Sequence, residues 1–133
     1  MAEYGAQNET ISLPAAADLS ACQYHLMRIT STGTVNIASS PLNGSAIGVL
    51  TNKPTAAGRF ATIAFSGKGK VVAGAAVAIG NMLMCDASGR AVPVTSAANM
   101  VIGRALSAAA NTGEIITAVL CFPMNWGKDP AAA

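Results

Sequence analysis

Residues 71–94, VVAGAAVAIGNMLMCDASGRAVPV, decide the fold of this chain. Within them, residues 82–85 form a short apolar run, and residues 90–94 read as a returning strand. Asp86 and Gly89 are the first and last residues of the link between the two. An Asp at the start of such a link can bond its own backbone, and a Gly at its end can take the positive φ that closes the turn. The pattern therefore predicts a β-hairpin.

Two further features of this stretch indicate its surroundings. Gly74 and Gly80 enclose residues 75–79, a run that is too short for a stable helix. Pro93 lacks the backbone N–H that a strand ladder uses, so its side of the strand is predicted to be an edge or a bulge. The stretch is thus predicted to contain three short strands that turn tightly on one another.

The rest of the chain also consists of short apolar or alternating stretches that are separated by turn signals. Apolar or alternating stretches occur at residues 22–30, 35–37, 46–50, 59–65, 100–106 and 114–122. Turn signals separate them about every 8–12 residues, and residues 66–70, SGKGK, are predicted to be one such turn. We therefore expect an all-β fold: a small antiparallel β-barrel or sandwich of about eight or nine short strands, preceded by an extended N-terminal arm.

The predicted domain organisation has three parts. Residues 1–20 are predicted to form the N-terminal arm, in which Ile11 and Leu13 alternate as one face of an added strand would. Residues 21–126 are predicted to form the β-barrel domain, with Trp126 fixing its end. Residues 127–133 are predicted to be a flexible C-terminal tail.

Composition limits the classes of partner. The chain of 133 residues is 52% hydrophobic, only 11% charged and 5% aromatic, and its formal net charge is +2. Its Lys and Arg residues are scattered singly, whereas nucleic-acid binding usually needs a basic stripe. Gly and Asn interrupt the longest apolar reach, residues 71–85, so no membrane span is expected, and no secretory signal is recognised. We expect neither a nucleic-acid partner nor a membrane partner.

The sequence offers few residues for catalysis or metal binding. His25 is the only histidine, and the carboxylates are isolated from one another. The cysteines Cys22, Cys85 and Cys121 are odd in number and widely spaced, which favours free thiols buried in the core or at an interface over a disulfide framework or a catalytic thiol. Residues 66–70 do not have the spacing of a phosphate-binding loop. We expect no enzyme activity, no metal and no cofactor.

Several strands are apolar on both faces. In residues 82–85, 100–106 and 114–122 neither alternating set is polar. A monomeric antiparallel barrel should present polar residues on its outer face. Excess apolar surface on a small protein usually means that a partner covers it. The pattern therefore predicts an oligomer or a docking surface.

Four segments, in their order, resemble a known family. They are DLSACQYHLMRIT (residues 18–30), AIGVLTNKP (46–54), AGAAVAIGNMLMCDASGRAVPV (73–94) and VIGRALSAAANTGEIITAVL (101–120). This succession resembles the small capsid decoration proteins, of the cement or head-fibre type, of tailed bacteriophages. The resemblance implies a non-enzymatic virion protein on the capsid exterior, made in the bacterial host cytoplasm. It further implies binding to the major capsid protein as a homotrimer that stabilises the head.

For a capsid decoration protein, two sets of contact residues are predicted. Tyr4, Ile11 and Leu13 are predicted to contact the capsid or a neighbour. Val101, Ile115 and Val119 are predicted to form the subunit interface.

An alternative reading is a receptor- or glycan-binding β-barrel of a phage fibre or tail. Such a site would need clustered exposed aromatic side chains, whereas Tyr4, Tyr24 and Trp126 are scattered along the sequence.

Overall fold

The structure, a computed structural model, describes residues 8–40, 46–96 and 99–122. Within these ranges there are nine β-strands and no helix, and therefore no helix able to span a membrane. The strands are β1 (Asn8–Pro14), β2 (Leu26–Ile29), β3 (Val35–Ile37), β4 (Gly48–Leu50), β5 (Phe60–Val72), β6 (Met82–Cys85), β7 (Ala91–Pro93), β8 (Gly103–Ala105) and β9 (Ile115–Cys121). All strand pairs are antiparallel. The predicted all-β class is confirmed.

Strand β5, with 13 residues, is the longest element and lies at the centre of the sheet. On one edge it pairs with β1 over residues 60–67. On its other edge it pairs first with β4, at Ile63 and Ala64, and then with β9 over residues 66–72. The sheet continues from β4 to β2 and β3, and from β9 to β8, β6 and β7. β5 therefore joins two groups of strands: the first group is β2, β3 and β4, and the second group is β6, β7, β8 and β9.

The turn predicted at residues 66–70 is wrong, because these residues lie inside β5. The strand bends there instead of reversing. Phe65 is bulged, since consecutive residues of β1 pair with the residues on either side of it. Gly67 has a φ of 88°, a conformation that glycine adopts without strain. Main-chain pairing with β9 keeps the glycine–lysine run extended, so non-local hydrogen bonds outweigh the local turn preference.

The hairpin predicted at residues 82–94 is present as β6 and β7. Asp86 Oδ1 accepts hydrogen bonds from the backbone N–H groups of Ser88 and Arg90, both at 2.8 Å. Gly89 closes the turn with a φ of 74°. Pro93 lies in β7, the last strand of the sheet order, as its missing N–H predicts.

Strand β2 is shorter than the predicted strand at residues 22–30. It begins at Leu26, because Tyr24 has a φ of 68° and cannot continue an extended ladder. The Tyr24 N–H donates to the carbonyl of Leu50 at 2.6 Å, and its carbonyl accepts from the N–H of Val72 at 3.0 Å. Tyr24 therefore ties the ends of β4 and β5 together.

The main hydrophobic core lies on the inner side of the curled sheet and draws on both strand groups. Leu26 and Val49 come from the first group, and Leu83 and Ile116 from the second. All four are at least 99% buried. Burying one such side chain contributes about 1.5–3 kcal/mol, so closure of the two groups on each other is the main source of stability.

A small core lies on the opposite, outer side of the first group. Met27, Leu50 and Ile63 alternate with the main-core residues of their strands and are fully buried there. The segment after β1 covers them with Ala15 and Leu19. Both faces of this half of the sheet are therefore occupied within the chain.

Part of the predicted N-terminal arm is a strand of this sheet. β1 pairs with β5 of the same chain, and Leu13 packs on the small core. Ile11 lies on the same face of β1 and is 42% exposed. The division of the chain at residues 20 and 126 stays a prediction. Tyr4, Trp126 and the predicted tail at residues 127–133 lie outside the described residues.

Gly103 provides a test of how closely the second group is packed. It pairs with Leu83 and Leu120, and a Cβ at this position would overlap the carbonyl oxygen of Val119. That oxygen belongs to the main chain and cannot move without disturbing the ladder. We expect Gly103→Ala to lower the free energy of unfolding by about 2 kcal/mol, measured by chemical denaturation.

Gly69→Ala is the matched control, in β5, on the other side of β9 from β8. A Cβ at Gly69 would lie 2.9 Å from Leu120 Cδ1, the end of a flexible side chain. We expect this variant to lose less than about 1 kcal/mol. Equal losses in the two variants would contradict the close approach of β8 to β9.

Candidate docking surface

The outer face of β9, β8 and β6 carries apolar side chains that no described residue covers. Along β9, Ile116, Ala118 and Leu120 point into the main core, so the residues between them point outward. The exposed fractions are 54% for Ile115, 44% for Val119, 46% for Met82 and 42% for Leu106. Arg104 lies between Met82 and Val119, and Thr117 lies between Ile115 and Val119, so this face mixes exposed apolar side chains with polar ones and is a candidate docking surface.

Strand pairing places basic side chains among these apolar ones. Val119 lies between Lys68 of β5 and Arg104 of β8, and Arg104 lies next to Met82 of β6. At about 4.8 Å per strand, this row spans about 14 Å. Lys70 follows Lys68 on the same face of β5. We call the whole set the outer patch: Lys68, Lys70, Met82, Arg104, Leu106, Ile115 and Val119.

The three basic groups of the outer patch have no carboxylate partner within the described ranges, where the one ion pair joins Arg90 to Asp86. Arg104 Nη1 donates to the carbonyl of Gly80 at 3.0 Å, which fixes one end of the guanidinium and leaves its other N–H groups available. Lys70 Nζ lies 5.9 Å from the centroid of the Tyr24 ring. The outer patch is therefore apolar in part and positively charged.

The residues predicted for a subunit interface separate in the structure. Ile115 and Val119 belong to the outer patch, whereas Val101 is half-buried and lies before β8. Their role in a subunit interface stays a prediction. Sequence reasoning missed the three charged members, Lys68, Lys70 and Arg104. The place of Lys68 and Arg104 beside Val119 follows from strand register, which pairs residues far apart in sequence.

Of the residues predicted for capsid or neighbour contact, Ile11 and Leu13 are not part of the outer patch. Ile11 presents a partly exposed side chain on β1, beyond the far edge of β5. Leu13 is half-buried against the small core and offers less surface. Tyr4 lies outside the described residues. Their contact role stays a prediction as well.

The cysteines are free thiols in three different environments. Cys85 is buried as predicted, and burial, followed by the nearby Asp86 carboxylate, raises the pKa of its thiol to about 11. Cys22 is half-buried, and burial raises its thiol pKa too. Cys121 is exposed on the outer face of β9 and is not a core thiol, so for this residue the alternative of an interface cysteine stays a prediction. Its position at the strand end, opposite Ser66, leaves it uncovered.

Among the described residues, no group of three or more His, Cys, Asp or Glu side chains is placed to hold a metal ion. The described part also contains a shallow groove of about 510 Å³ between residues 52–55 and 59–60. Lys53, Arg59 and the 63% exposed ring of Phe60 line it. Tyr24, one of the aromatic residues considered for a glycan site, is half-buried and does not line this groove.

An all-β chain with an uncovered, positively charged apolar patch has the features of a protein that works by docking onto another surface. Comparison with protein families identifies which kind. The family described as "Phage cement protein" matches residues 7–121. The chain therefore belongs to the phage cement protein family and is a structural protein of the phage head, as its resemblance to capsid decoration proteins predicted.

A solved structure supports the fold assignment. The chain is similar to the N base of the head fiber gp8.5 of bacteriophage phi29, with a TM-score of 0.63 and 19% sequence identity. The match covers 84% of this chain and 92% of that one. At this identity the similarity establishes a shared fold. No curated protein matches the sequence.

The thiol environments predict an order of chemical labelling. With a pKa of about 11, the Cys85 thiol is about 0.1% ionised at pH 8, and it is also shielded by the main core. We expect iodoacetamide at pH 8 to modify Cys121 first, Cys22 more slowly and Cys85 only after unfolding, as followed by mass spectrometry. Labelling of native Cys85 at the rate of Cys121 would contradict the packing described for β6.

Proposed function

We propose that this protein binds the outer surface of an assembled phage head and stabilises the capsid. The observation that carries the proposal is the uncovered outer patch on a chain that belongs to the phage cement protein family. A cement protein needs a surface that is stable when exposed before assembly and favourable to bury afterwards. Partly exposed Ile, Val, Leu and Met side chains on a rigid sheet meet both conditions.

Stabilisation follows from mass action. A protein that binds the assembled shell, but not its dissociated subunits, lowers the free energy of the shell by RT ln(1 + [L]/Kd) for each site. At a free concentration 100 times the Kd this amounts to about 2.7 kcal/mol per site. Many equivalent sites on one head then make the total effect large without any catalytic step.

The partner proposed for this binding is the major capsid protein, and the proposed form of the cement protein is a homotrimer. A trimer bound at a point where several shell subunits meet would link them, and its three equivalent contacts would strengthen attachment through avidity. We further propose that the protein is made in the host cytoplasm and acts on the capsid exterior without enzymatic activity.

The proposal predicts that the purified protein raises the temperature at which bare heads, lacking this protein, release their DNA. Ile115→Ser combined with Val119→Ser removes apolar surface from the outer patch, at about 1 kcal/mol for each side chain. We expect this variant to need at least tenfold more protein for half-saturation of heads, measured by sedimentation.

Ile29→Ser is the control, because Ile29 is 49% exposed but lies in β2, in the other strand group. It should bind heads like the original chain. Light scattering of the free protein, in the absence of heads, gives the mass of the oligomer. A chain that neither binds bare heads nor protects them would contradict the proposed function, and a monomer mass would contradict the trimer.

A further inference from the structure

We infer that the outer patch docks onto an acidic surface of the shell protein, with carboxylates surrounding an apolar centre, and not onto a second copy of this chain. The inference rests on the proposed function and specifies the chemistry of its partner. It depends on the charges of the patch, on where the chain's own carboxylates lie, and on the cost of placing like charges together.

The arrangement of the basic groups suits a carboxylate-lined partner. Lys68 and Arg104 flank Val119 in adjacent strands, so any surface that covers Val119 must approach both cations. Lys70 extends the charge along β5. Long basic side chains can lie their methylene stems along apolar surface while their charged ends reach the rim of a contact. Carboxylates at that rim would pair with them, and an apolar centre would bury Val119.

The described part of the chain does not supply such a partner surface. Its four carboxylates lie on separate elements and are already hydrogen-bonded within the chain. Asp86 accepts from the hairpin turn and pairs with Arg90, while Glu114 accepts from the N–H groups of Ala110 and Asn111.

The two remaining carboxylates, Asp18 and Glu9, also accept hydrogen bonds from their own chain. Asp18 accepts from the N–H and hydroxyl of Ser20, and these bonds lower its pKa. Glu9 accepts from the Ser66 hydroxyl at 3.2 Å, at the rim of the outer face itself. The described part of a second copy would therefore offer the outer patch only single carboxylates that are held within their own segments.

Direct contact between two outer patches is also unfavourable. A face-to-face pair would bring six cations together, since each copy contributes Lys68, Lys70 and Arg104. Like charges opposed across a contact cost several kcal/mol unless counter-charges separate them. The net charge of +2 adds a weaker repulsion of the same sign. Face-to-face pairing of two outer patches is therefore disfavoured and an acidic partner is favoured, so the proposed homotrimer would have to form through another surface and not through Ile115 and Val119.

A pair of matched charge reversals tests the inference on bare heads. Lys68→Glu with Lys70→Glu reverses two cations of the outer patch. Lys53→Glu with Arg59→Glu changes the net charge by the same amount, but in the groove beside Phe60. Circular dichroism and thermal unfolding establish that both variants are folded.

We expect the Lys68/Lys70 variant to bind heads at least tenfold more weakly, and the Lys53/Arg59 variant to bind within about twofold of the original chain. We also expect binding of the original chain to weaken as NaCl rises from 50 to 300 mM, with a smaller salt dependence in the Lys68/Lys70 variant. Equal weakening in both variants would mean that total charge, and not the outer patch, controls binding, and would overturn the inference.

Carbodiimide cross-linking of decorated heads identifies the partner directly, because it joins an amine to a carboxylate only when the two are in contact. The expected product links Lys68 or Lys70 to an Asp or Glu of the major capsid protein, identified by mass spectrometry. Cross-links from these lysines to another copy of this chain would overturn the inference but leave the proposed function standing. Failure of the original chain to bind heads would contradict both the inference and the proposed function.

Discussion

The backbone pairing of β5 with three other strands is the constraint on which the structure depends. One edge of β5 is occupied by β1, and the other is shared by β4 and β9 in succession. A bulge at Phe65 and a positive φ at Gly67 let the strand bend between its two partners on that shared edge. The two strand groups are thereby turned toward each other, and the main core forms between them.

That geometry also determines which apolar side chains remain uncovered. Around the first half of β5, the segment carrying Ala15 and Leu19 covers the outer face and forms the small core. Around the second half, no described segment does so, and Ile115 and Val119 stay exposed between basic side chains. The sheet is therefore covered on its inner side, and on its outer side only around the first half of β5, which leaves the second half available for docking.

Local chemistry made some features predictable from sequence and left others hidden. The hairpin at Asp86–Gly89 was predictable because its turn is stabilised by its own residues, and the two-sided apolar strands indicated exposed apolar surface. The path of β5 through Gly67 was not predictable, since the hydrogen bonds that hold it extended come from β9. The basic members of the outer patch were missed for the same reason: only register places Lys68 and Arg104 beside Val119.

Electron cryomicroscopy of decorated heads, at a resolution that separates β-strands, tests the central claim most directly. We expect density for the sheet with the outer face of β9, β8 and β6 against the shell, and acidic shell residues next to Lys68 and Arg104. A map in which this face points to solvent, or is covered by another copy of the same chain, would contradict it.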